Sequence, residues 1–120
     1  KVGRQSIQDD AAMVRSIINA LPPSTSIRLD ANCAWTLSES LHFWDLLDGY
    51  RRNIHYVEEP LSEPRDYSQI TFPFALDERL PLFEKQLHRF TFLKAIILKP
   101  SLLGFETCIK LINKATKLNL

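Results

Sequence analysis

The chain has 120 residues, 45% of them hydrophobic and 24% charged, with a net charge of +1. That length suits one globular domain, and the near-neutral charge gives no electrostatic case for nucleic acid or an anionic membrane as partner. No apolar run approaches the roughly 20 residues that span a bilayer, and no signal-peptide pattern is present.

The chain opens on Lys1-Val2-Gly3, which reads as the last residues of a strand. Ser6 then suits a helix N-cap, and Ile7, Ala11, Val14, Ile18 and Leu21 recur at steps of four and three, the stripe of an amphipathic helix that Pro22-Pro23 ends. Ile27 to Asp30 is a predicted strand, and Ala31 to Trp35 a loop. Thr36-Leu37-Ser38-Glu39 fits a capping box. It opens a helix with Leu37, Leu41, Trp44 and Leu47 on one face and Gly49 as its stop. Ile54 to Glu58 is the next strand, closed by Pro60, and Pro64 to Ile70 predicts a short helical turn. Phe74 to Asp77 is a third strand, and Leu82 to Arg89 a short helix starting near Pro81. Ala95 to Lys99 is the most β-like run, stopped by Pro100. Gly104 precedes a last helix, Phe105 to Lys117, with Cys108, Ile109, Ile112 and Ala115 inward and Lys110, Lys114 and Lys117 in water.

Strands alternating with helices predict an α/β fold with a parallel sheet and right-handed crossovers. A complete eight-fold barrel takes about 250 residues, so the chain would supply part of one. The abrupt start at Lys1 and the uncapped end at Leu118-Asn119-Leu120 predict an excerpt of a longer protein, with exposed sheet edges and no activity by itself. Cys33 and Cys108 lack paired spacing and are expected as reduced thiols of a cytoplasmic protein.

Charged residues close the predicted strands: Asp30, Glu58, Asp77 and Lys99, with Lys1 beside them at the chain start. Side chains at i and i+2 share a sheet face. Arg28 and Asp30, Tyr56 and Glu58, Ala75 and Asp77, and Ile97 and Lys99 should therefore point into the barrel. Active sites of barrel enzymes lie at this carboxyl rim. Three converging carboxylates repel unless a cation joins them. Mg²⁺, or Mn²⁺ in its place, suits an all-oxygen set that leaves positions for water and a substrate carboxylate. Zinc suits it less, since no His or Cys stands at a strand end, and His42, His55 and His88 show no metal spacing. A lysine beside such a cation has its pKa pushed down toward that of a general base. Arg28 either pairs with Asp30 or Glu58 or contacts substrate. Trp35 and Trp44 are expected to be packing residues.

Lys1-Val2-Gly3, Arg28-Leu29-Asp30-Ala31-Asn32 with Trp35, Val57-Glu58-Glu59-Pro60, Leu76-Asp77-Glu78 and Ile97-Leu98-Lys99-Pro100-Ser101-Leu102-Leu103-Gly104 occur in order over essentially the whole chain. Together they resemble the enolase superfamily, and within it most closely the o-succinylbenzoate synthase family of menaquinone biosynthesis. The resemblance implies that residues 1–120 are part of a C-terminal (β/α)7β barrel catalytic domain, roughly strands two to six, without its last strands and its separate capping domain. It implies Asp30, Glu58 and Asp77 as Mg²⁺ ligands, with Glu58 rather than Glu59 taken from the Glu-Glu-Pro motif. It implies Lys1 as the base and Lys99 as the lysine on the opposite face, stabilising the enediolate, with Arg28 and Asn32 in substrate-contacting or supporting roles. The implied reaction is a syn elimination of water from a cyclohexadiene carboxylate. Two alternatives remain: a dipeptide epimerase or N-acylamino acid racemase of the same superfamily, and a non-catalytic barrel remnant that packs against a partner.

Overall fold

The computed structural model describes residues 1–120. Four short strands, β1 (Ile27–Asp30), β2 (Ile54–Glu58), β3 (Phe74–Leu76) and β4 (Leu93–Ile96), form one parallel sheet in the order β1-β2-β3-β4. Five helical segments accompany them: α1 (Ile7–Ala20), α2 (Leu37–Leu46), α3 (Leu80–Phe83), α4 (Pro100–Leu103) and α5 (Phe105–Leu118). The sheet is open, so the architecture is the expected partial α/β barrel. No helix is long and apolar enough to cross a membrane.

The local signals act as their chemistry requires. The Ser6 hydroxyl accepts from the Asp9 amide and starts α1. At α2 the Thr36 hydroxyl accepts from the Glu39 amide, while the Glu39 carboxylate accepts from the Thr36 amide at 2.8 Å. This reciprocal cap is worth about 1 kcal/mol. Between sheet and helices lies a continuous core. Phe43, Phe72 and Phe74 are fully buried in it, and Trp44 stacks on Phe72 with ring centres 5.1 Å apart. Trp35 meets Phe43 at 4.4 Å, so both tryptophans are packing residues as expected.

Several predicted boundaries move. Lys1–Gly3 does not form a strand; only the Val2 amide reaches the sheet, donating to the Asp30 carbonyl at 2.9 Å. Strand β4 runs from Leu93 to Ile96 rather than from Ala95 to Lys99. Its neighbour β3 is three residues long, so beyond the Ile97 amide, which donates to the Leu76 carbonyl at 2.7 Å, there is no partner left. Pro100 then begins α4 and biases Lys99 to an extended conformation. The predicted helix over Leu82–Arg89 starts two residues earlier as α3 and tightens into a 3₁₀ stretch over Glu84–Arg89. The turn over Pro64–Gln69 is also 3₁₀, and a further one over Arg51–Asn53 had no sequence signal. In α5 the buried side chains are Cys108, Leu111 and Ala115, whereas Ile109 and Ile112 are exposed. The helix is apolar at too many positions for periodicity alone to fix its rotation.

Gly3 is one residue whose backbone needs no side chain to be present. Its φ is +79°, and a Cβ there would lie 2.4 Å from the Ala34 Cβ. Its amide donates to the buried Asp10 carboxylate at 2.6 Å. Gly3→Ala should therefore lower stability by about 2 kcal/mol or more, the left-handed strain plus the clash, read as a lower urea midpoint.

Candidate active site

The strand register assembles the site. Asp30 is the pairing partner of Glu58, and Glu58 of Ala75, two residues before Asp77. Hydrogen bonding from Val2 and Gly3 holds the chain start against the end of β1, which brings Lys1 alongside. Lys1, Asp30, Asn32, Glu58, Asp77 and Lys99 consequently border a single cavity of about 170 Å³ at the carboxyl ends of the strands.

Each flank carries an ion pair. The Lys1 ammonium donates to Asp30 Oδ2 and, at 3.2 Å, to Asn32 Oδ1. The Asn32 amide closes a turn onto Asp30 Oδ1 at 3.0 Å, so Asn32 supports both partners. On the other side Lys99 Nζ lies 2.5 Å from Asp77 Oδ2 and 3.4 Å from Glu78 Oε1. Arg28 makes no ion pair with Asp30 or Glu58; its guanidinium stands over the Tyr56 ring, 5.3 Å from the centroid. The three histidines lie outside the cavity lining.

Burial and the neighbouring carboxylates of Asp77 and Asp30 push the Glu58 carboxyl up to about 7, partly opposed by Lys99. Lys99 is shifted upward, chiefly by its hydrogen bond with Asp77. The downward shift expected from the sequence is the one a cation beside the lysine would cause; in this structure the neighbour is a carboxylate. The three carboxylates share the cavity without converging, and no group of three Asp, Glu, His or Cys side chains is close enough to hold a metal ion. Asp30 and Asp77 are each turned to an ammonium instead. The donor set is nonetheless all oxygen, which suits a hard divalent ion. A cation entering the cavity would compete with two lysines for the same oxygens.

The Glu58 shift gives a pH dependence. Between pH 4.5 and about 7 the folded state holds a proton on Glu58 that the unfolded chain has released. Stability of the metal-free protein should therefore fall as pH rises through that window. Glu58→Gln should flatten the trend in urea titrations run at several pH values.

Glu59, which sequence reasoning set aside, is buried, with its φ at +44°. Its Oε1 accepts the amides of Asp77 at 2.6 Å and Arg79 at 3.1 Å, and its Oε2 accepts the Tyr67 hydroxyl at 2.8 Å. The only signal for it was the doubled Glu before Pro60. Cys33 also has a positive φ, and its thiol is pushed up to about 11 by burial and the Glu59 charge. Both cysteines are free thiols.

Known proteins share this arrangement of elements. The o-succinylbenzoate synthase of Haemophilus influenzae is 34% identical over 130 residues, spanning 100% of this chain and 38% of that protein. Among solved structures, o-succinylbenzoate synthase from Thermosynechococcus elongatus BP-1, complexed with Mg in the active site, superposes with a TM-score of 0.73 at 27% identity, over 94% of this chain and 38% of that one. A dipeptide epimerase from Cytophaga hutchinsonii, complexed with Mg and the dipeptide D-Ala-L-Val, gives 0.75 at 26% identity, over 98% of this chain and 33% of its own. The chain thus spans between one third and two fifths of the length of these relatives. Residues 1–96 match the family described as enolase C-terminal domain-like, and the chain belongs to that family, within the enolase superfamily.

Proposed function

We propose that the chain supplies the metal-binding and proton-transfer residues of a Mg²⁺-dependent lyase of the o-succinylbenzoate synthase type. It would act as part of one barrel domain within a longer polypeptide, in menaquinone biosynthesis. The observation that carries this reading is the cavity bordered by Asp30, Glu58 and Asp77, with an ammonium on each flank. A cytoplasmic setting accords with two cysteines that form no disulfide.

Asp30, Glu58 and Asp77 are the residues that would hold Mg²⁺. The bound ion would acidify the α-proton of a substrate carboxylate and stabilise the charge left behind. Lys1, after giving a proton to water, would take the α-proton on one face of the substrate and return it to the leaving hydroxyl. Lys99 would present its positive charge to the opposite face. Asn32 holds Lys1 in place from the end of β1. Arg28 pairs with no carboxylate and lies outside the cavity lining, so it would contact only a substrate that reaches beyond that cavity.

Calorimetric titration of the whole protein with Mg²⁺ tests this. Saturable binding that Asp30→Asn weakens at least about tenfold is expected, in line with the loss of a charged contact to the ion. Absence of binding would leave the non-catalytic remnant as the better account.

One feature favours a second reading. An amine on each side of the cavity also suits epimerisation, which moves protons on both faces. Incubation with substrate in D₂O separates the two. Dehydration without exchange into recovered substrate favours the lyase, and deuterium at the α-carbon with inverted configuration favours the epimerase.

A further inference from the structure

Three loops leave the sheet at the rim of the cavity, after β1, β2 and β3, with a candidate metal ligand at each junction: Asp30 and Glu58 as last strand residues and Asp77 as first loop residue. One buried residue joins all three. The Glu59 carbonyl accepts the Cys33 amide at 2.6 Å, tying in the loop after β1. Its own amide donates to the Ala75 carbonyl at 3.0 Å, extending the β2–β3 ladder. Its carboxylate then caps the loop after β3 through the amides of Asp77 and Arg79. Tyr67, buried and packed between Phe74 and Phe83, fixes the other carboxylate oxygen.

We propose that Glu59 is a positioning residue that sets the Asp77 backbone, and with it the third carboxylate of the metal site. A carboxylate accepting several N–H and O–H donors is a strong, directional anchor. Removing it would leave buried donors without partners. The positive φ at Glu59 fits the same role. A left-handed turn for a residue other than glycine is strained, and such strain persists where the surroundings over-determine it. Alternation along β2 turns the Glu59 carboxylate away from Glu58, and the turn comes directly where the chain leaves the strand. Arg79 reinforces the arrangement by donating from its guanidinium to the Leu61 carbonyl at 3.0 Å.

The proposal rests on the metal reading above, and the test keeps the two apart. In the whole protein, Mg²⁺ alone is titrated by calorimetry into wild type, Glu59→Gln and Glu59→Leu. Gln keeps a carbonyl oxygen for the two amides, and Leu keeps only the bulk. Leu should weaken Mg²⁺ about 10- to 100-fold, the usual effect of losing a support to a metal ligand, and Gln should stay within about threefold of wild type. A Leu variant that binds like wild type overturns the proposal. So does a Gln variant as weak as Leu, because charge and not acceptor geometry would then be at work. A wild type that takes no Mg²⁺ overturns the metal reading and this proposal together. If the Leu variant does not fold, amide exchange in the wild type decides. Asp77 and Arg79 amides protected about 100-fold or more over exposed loop amides support the anchor, and unprotected amides overturn it.

Discussion

Lys1→Ala in the whole protein should lower kcat by about 10²- to 10⁴-fold, the contribution expected of a positioned general base. It should not weaken Mg²⁺. The Lys1 ammonium pairs with Asp30 in the structure, so its removal frees an oxygen and takes away a repelling charge. Metal affinity should hold or tighten as activity collapses. Lys99→Ala should show the same split through Asp77, with a smaller fall in rate if its role is charge alone. A lysine that served only to neutralise a strand end would behave otherwise. Its loss would leave turnover intact and shift only stability. Steady-state kinetics paired with calorimetry on the same preparations distinguish these outcomes.

The largest effect on stability is expected from Phe72→Ala, at about 3–5 kcal/mol. Phe72 is fully buried and stacks on Trp44, joining the α2 layer to the segment that leads into β3. Truncation removes apolar contact and leaves a void between layers that the sheet holds apart. A urea titration of the whole protein should show it as a large drop in midpoint at unchanged slope. Thr36→Ala, which removes one half of the α2 cap, should cost only about 1 kcal/mol. Equal losses from the two would mean that the Phe72 site collapses around the gap.

The contrast between these residues reflects what could be read along the chain. Strands β1 and β2 were legible to the residue, because Ile27–Asp30 and Ile54–Glu58 are compact runs bounded by turn residues and proline. The α2 cap was legible because its chemistry is local to four residues. The end of β4 was not. Ala95–Leu98 is intrinsically β-like, but a strand needs a partner, and β3 stops at Leu76. The inward face of α5 was misread because Cys108, Ile109, Leu111, Ile112 and Ala115 cover more than one face, and only docking chooses among them.

The candidate site divides in the same way. That Asp30, Glu58, Asp77 and the two lysines lie together followed from charges placed at successive strand ends. That Asp30 and Asp77 are held by ammonium groups did not, since it depends on side-chain conformation and on which charges are present. The arrangement at Glu59 was hidden for another reason. Strict alternation along β2 places it away from Glu58, but its hydrogen bonds depend on a left-handed turn that no residue type in Glu58-Glu59-Pro60 announces.

Diffraction from crystals of the whole protein soaked in Mn²⁺, with anomalous data, bears most directly on the metal site. The account predicts one strong peak in the rim cavity with an oxygen of Asp30, Glu58 and Asp77 each at about 2.0–2.2 Å, and both lysines released from their carboxylates. A peak elsewhere, or saturating metal with Lys1 still on Asp30 and Lys99 still on Asp77, would contradict it.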